Sequence, residues 1–102
     1  MATSTIKQQN AVTYLNPYSG VRVYKSGNIV EISFEGFSAQ QAYSANESLF
    51  TLPEEYRPRY SLSFLDALNS GKRIAVESTG KVYVTSALSS GNLLRGCAVY
   101  IV

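Results

Sequence analysis

The sequence predicts an all-β fold, an antiparallel β-sandwich or barrel of about seven to eight short strands. Three observations predict it. Apolar and polar residues alternate at period two in several segments. Gly, Ser and Asn clusters separate those segments at short intervals. The one segment that opens like a helix is not followed by a 3.6-residue apolar pattern. A length of 102 residues is one domain's worth, and 45% hydrophobic content argues against disorder over its body. Charged residues make up only 16%, which suggests a surface partly covered by a partner.

Residues 1–11, rich in Ser, Thr, Gln and Asn, read as a flexible arm or linker remnant, and residues 12–102 as a single β domain. Val21 and Val23 alternate with Arg22 and Tyr24. Ser26-Gly27-Asn28 then supplies residues that tolerate the positive φ of hairpin turns. Val30, Ile32 and Phe34 follow, alternating with Glu31, Ser33 and Glu35, so residues 22–35 read as a hairpin with one apolar and one wet face. A second hairpin has the same grammar at an offset of 53 residues: Val21 aligns with Ile74, Val23 with Val76, and Gly27 with Gly80. Between the hairpins, Ser38-Ala39-Gln40-Gln41 fits a capping box, leaving residues 37–52 as a long loop or a short helix. Tyr60, Leu62 and Phe64 alternate with serines as a further strand, with Tyr60 in the core. Residues 94–102 are apolar on both faces, which places that strand centrally or at a subunit interface, with Tyr100 in the core. Cys97, the only cysteine, lies in this run and reads as a small buried hydrophobe.

Several functions are disfavoured. The chain has no histidine, which removes the commonest general base, every Ser-His-Asp or Cys-His arrangement and most zinc sites. Glu31 and Glu35 share a strand face but stand about 13 Å apart at strand rise, too far for a glycosidase pair. No enzyme activity, metal or cofactor is expected. Nine basic residues against seven acidic ones give a net charge of +2, and the basic residues are scattered. Nucleic-acid binders need several phosphate contacts from one face, so none is expected here. No stretch reaches the about 20 apolar residues of a helical membrane span. Residues 1–10 carry no apolar signal core, and a soluble chain made in a reducing cytoplasm is expected.

Leu52-Pro53-Glu54-Glu55-Tyr56-Arg57-Pro58 is the most distinctive segment. Pro53 suits position i+1 of a tight turn, Arg57 is driven extended by the proline after it, and Tyr56 can bury its ring while its hydroxyl finds a backbone partner. The segment reads as a rigid corner. The succession of a hairpin with Ser26-Gly27-Asn28-Ile29-Val30, a polar loop, this Leu-Pro-x-x-Tyr-Arg-Pro corner, a Gly-turn hairpin and an apolar terminal strand resembles the C-terminal head domains of phage tail-fibre and baseplate receptor-binding proteins. The resemblance spans residues 21–102. Glu55 stands where that family often has Gly, and Trp is absent.

The resemblance implies a homotrimer at a virion's fibre or baseplate tip, made in the host cytoplasm, that binds a host cell-surface saccharide. Ligand candidates are loop residues with aromatic faces or planar polar groups: Tyr43, Asn46, Asp66, Asn69, Asn92 and Arg95. Each alone reads more readily as an ordinary solvated loop residue. Tyr24 and Tyr83, on the wet faces of the two hairpins, are candidates for an oligomer interface, together with Val99 and Ile101. A trimerisation or fibre-capping domain without ligand, or a bacterial carbohydrate-binding adhesin module, are the alternatives.

Overall fold

The strongest alternation in the sequence forms the hairpin it predicts: β2 (Val21–Ser26) pairs antiparallel with β3 (Ile29–Ser38) across the Gly27-Asn28 turn. Val21, Val23, Val30 and Ile32 are fully buried, while Arg22 and Glu31 point to solvent. This is a computed structural model that describes residues 12–68 and 71–102; the arm expected over residues 1–11 and the candidate Asn69 lie outside the described residues. The other strands are β1 (Val12–Tyr18), β4 (Ser48–Thr51), β5 (Leu62–Leu65), β6 (Arg73–Val76), β7 (Lys81–Val84) and β8 (Leu93–Ile101). They form two four-stranded antiparallel sheets, which we call sheet I (order β1-β2-β3-β8) and sheet II (order β4-β7-β6-β5). The fold is a small β-sandwich.

The two inner faces share one core. Sheet I contributes Val21, Val23, Val30, Ile32, Phe34, Phe37, Leu94 and Tyr100; sheet II contributes Leu49, Ile74, Val76, Val82 and Val84. Residues at period two within strands account for most of this list. Phe34 and Phe37 break the period, since three positions apart they should face opposite ways. Both are buried because Gly36, at φ +85°, makes a bulge that shifts the β3–β8 register between Glu35 and Phe37. Their rings then meet edge to face, with centroids 5.9 Å apart.

Several expectations are corrected. Residues 37–52 form neither a helix nor one long loop: Phe37 and Ser38 belong to β3, and β4 follows. The capping-box backbone is held elsewhere, because Ala39 N–H donates to Asn92 O at 2.8 Å and Gly91 N–H donates to Ala39 O at 2.7 Å. Tyr60 is not in the core but 79% exposed; the strand begins two residues later, with Leu62 and Phe64 turned inward. β8 is not central: it closes one edge of sheet I, and its two apolar faces are a core face (Leu94, Ala98, Tyr100) and an exposed one (Val99, Ile101). Cys97 lies on that exposed face and is not buried. The edge is partly covered, since Ala67 N–H donates to Arg95 O at 2.6 Å and Arg59 N–H donates to Ile101 O at 3.0 Å.

The corner forms as expected in outline. Glu54–Tyr56 is a single 3₁₀ turn, and Arg57 is extended at φ −81°, ψ 136°. Pro53 is the first residue of the turn, not its second, because Tyr56 N–H donates to Pro53 O. Tyr56 buries its ring, but its hydroxyl reaches the Thr13 hydroxyl at 3.5 Å rather than a backbone group. The backbone contact runs the other way: Tyr100 Oη donates to the Tyr56 carbonyl at 2.6 Å, which joins β8 to the corner. Arg57 Nε donates to Leu52 O at 2.9 Å and lies over Gly80. A Cβ at Gly80, whose φ is +94°, would stand 2.7 Å from Leu52 O, so the second hairpin's glycine also makes room for the corner.

Candidate functional site

Most of the loop residues chosen from sequence turn out to hold the loops in place. Tyr43 is buried. Its backbone exchanges two hydrogen bonds with Leu88, and its hydroxyl lies 2.9 Å from that of Tyr18. That hydrogen bond, with burial, pushes the Tyr43 hydroxyl up to about 12. Asp66 is also buried; its Oδ1 accepts from Leu68 N–H at 3.2 Å and from Arg95 N–H at 2.9 Å, fixing the end of β5 to β8. Asn92 Oδ1 accepts from Ser89 N–H at 2.8 Å within its own turn. Asn46 is exposed at φ +66°, a left-handed position that Asn tolerates, and its N–H donates to Val84 O. Arg95 has an exposed side chain on the outer face of sheet I, next to Glu35 in register. The structure does not gather these residues into one cleft. Tyr43 and Asn46 sit by the chain leaving β7, and Asp66 and Arg95 by the start of β8.

The interface candidates separate into two groups. Tyr24, Val99 and Ile101 share the outer face of sheet I, whereas Tyr83 lies on the outer face of sheet II. Register aligns the sheet I group in two cross-strand rows. One row runs Val12, Ser26, Ile29, Ile101 and the next Tyr14, Tyr24, Glu31, Val99. Val12 is 60% exposed and Val99 63%; Tyr14, Ile29 and Ile101 are also well exposed. The Tyr14 and Tyr24 rings pack with centroids 5.2 Å apart, and Tyr60 extends the apolar surface around the β8 edge. Charge on this sheet lies mainly at the far end, where Arg22 Nε and Glu35 Oε1 pair at 3.3 Å. Sequence reasoning missed Val12, Tyr14, Ile29 and Tyr60. Their signal was in the pairing: only the register of four strands brings residues 12, 29 and 101 side by side.

The outer face of sheet II is chemically different. Ser63, Ala75 and Tyr83 align across β5, β6 and β7, with Arg73, Glu77, Lys81 and Thr85 around them. Lys81 Nζ lies 4.6 Å from the Tyr83 ring centroid. Burial and the neighbouring Glu77 raise the Tyr83 hydroxyl above its ordinary value. No group of three metal-ligating side chains occurs among the described residues, and no helix among them is long and apolar enough to cross a membrane. No protein-family model and no curated protein matches the chain.

Proposed function

We propose that this chain is a non-enzymatic phage tail-fibre or baseplate head domain that assembles as a homotrimer and recognises a host cell-surface saccharide. The observation that carries the proposal is the apolar outer face of sheet I. A monomer that leaves Val12, Tyr14, Ile29, Val99 and Ile101 contiguous and exposed has a surface suited to burial against copies of itself. Three of the residues singled out for an interface, Tyr24, Val99 and Ile101, lie on it. Packing this face inward leaves the polar, tyrosine-bearing face of sheet II directed outward, where weak sites multiplied by three would act through avidity. The corner that carries the family resemblance anchors Leu52 and Tyr56 in the core, so it supports the fold of such a head rather than its ligand site.

Light scattering at micromolar concentration tests assembly: the expected mass is three times 11.2 kDa, and Val99→Glu combined with Ile101→Lys is expected to reduce it to 11.2 kDa with an unchanged β-type circular dichroism spectrum. A wild-type monomer would overturn the trimer. Binding of the labelled domain to whole bacteria tests recognition. A folded trimer that binds no cell type would favour the fibre-capping function instead.

A further inference from the structure

We infer that the outer face of sheet II carries a binding site centred on Ala75 and selective for an acidic monosaccharide unit. This rests on the host-recognition proposal and names the place and chemistry of its ligand. Outward positions on the three strands form a three-by-three lattice: 61, 63 and 65 on one side, 73, 75 and 77 in the middle, and 81, 83 and 85 on the other. Its centre is Ala75, the smallest residue in the lattice. Ala75 is buried despite lying on an outer face, because the larger side chains rise around it. The result is a notch of about 380 Å³ lined by Ser63, Arg73, Glu77, Tyr83 and Thr85, within the size range of small-ligand sites.

The rim has the groups a sugar needs. Tyr83 offers an apolar ring for C–H surfaces, with Ser63 and Thr85 hydroxyls and the Glu77 carboxylate nearby for hydroxyl groups. Charge selects the class. Arg73 and Lys81 face a single carboxylate, Glu77, and among the described residues neither cation is in an ion pair. Arg73 Nη1 donates to Ser63 Oγ at 3.3 Å, which orients its planar fork beside the notch. A guanidinium so placed matches a carboxylate bidentately. A sugar bearing a carboxylate would meet the fork, the hydroxyls and the ring together, whereas a bare anion would engage only the cations.

The test is an amide-resolved NMR titration of the whole chain with glucuronate, glucose and inorganic phosphate at matched ionic strength. Glucuronate is expected to move the amides of residues 61–65, 73–77 and 81–85. Glucose should move the same amides about tenfold more weakly, since it lacks the charge-assisted contact. Arg73→Gln should erase the difference between the two sugars, and Ala75→Leu, which fills the notch, should abolish both with the remaining spectrum intact. Equal binding of glucose, phosphate as effective as glucuronate, or undiminished binding by Ala75→Leu would each overturn the site as described. Cell binding separates this from the broader function. If wild type and Ala75→Leu bind bacteria equally, the site falls and host recognition stands. If glucuronate binds at the notch but no cell is bound, the site stands and host recognition falls.

Discussion

The two sheets are alike on their inner faces and opposite on their outer ones. Inside, each presents β-branched and aromatic residues at period two to the same core. Outside, one end of sheet I carries Val12, Tyr14, Tyr24, Ile29, Val99 and Ile101 around one carboxylate, Glu31, with Arg22, Glu35 and Arg95 at the other end, whereas sheet II carries serines, Leu65, Thr85, Arg73, Glu77 and Lys81 around a tyrosine. Solvation explains why the inner faces agree, because either sheet would fail to fold without them. It does not explain why the outer faces differ. Solvation alone does not require the apolar rows on sheet I, and they are what supports the assembly we propose.

The likeness of the inner faces is tested by truncating one core residue on each. Ile32→Ala in sheet I and Ile74→Ala in sheet II, both fully buried, should each cost about 2–5 kcal/mol in urea unfolding. Similar losses are expected from a shared core; a loss on one sheet alone would show that the sheets are stabilised separately. A second test concerns the point where β1 of sheet I reaches the loop before β4. The Tyr43 hydroxyl is held neutral up to about 12 by Tyr18 and burial, against about 10 for an unfolded tyrosine. Because the folded value is raised, this contribution is fully present below about pH 10 and is lost as pH climbs towards 12. Burial raises Tyr100 in the same direction. Unfolding between pH 9 and 12 should show the decline, and Tyr43→Phe should flatten part of it. The smallest effect belongs to the polar end of sheet I: Arg22→Gln should shift the urea midpoint only slightly, and less at high salt, because the Arg22–Glu35 pair is exposed on both sides.

Much of this fold was legible in the sequence, for local reasons. Both hairpins announce themselves because alternation and turn glycines lie within about a dozen residues of each other. The corner was legible because prolines restrict their own neighbours. β4 was not, since four residues with a register shift between Ser48 and Phe50 show no period. Cys97 was misplaced because an apolar run does not say which of its faces meets the core, and Tyr60 because the alternation it shares with Leu62 and Phe64 does not show that the strand starts only at Leu62. The structural contacts of two loop candidates were hidden for a related reason: the partners of Asp66 and Tyr43, Arg95 N–H and the Tyr18 hydroxyl, lie 29 and 25 residues away. The Ala75 notch could not be read at all, because a small residue becomes a hollow only when two neighbouring strands bring larger ones beside it.

The pairing of β8 with β3 has a consequence for how the chain reaches this state. Residues of β3 and β8 meet across a segment that includes all of sheet II, as in the pairing of Ile29 with Ile101. β5, β6 and β7 of sheet II can pair through nearby contacts, but sheet I must wait for the most distant strand, and such long-range pairing is slow. During synthesis the edge of β3, with Val30, Ile32 and Phe34 on it, therefore stays open until residues 93–101 emerge from the ribosome. The surface rows that we assign to assembly are complete only once that strand has docked, because Val99 and Ile101 are part of both. In the assembly we propose, association would therefore follow folding: the chain acquires its apolar face in the same step that seals its core.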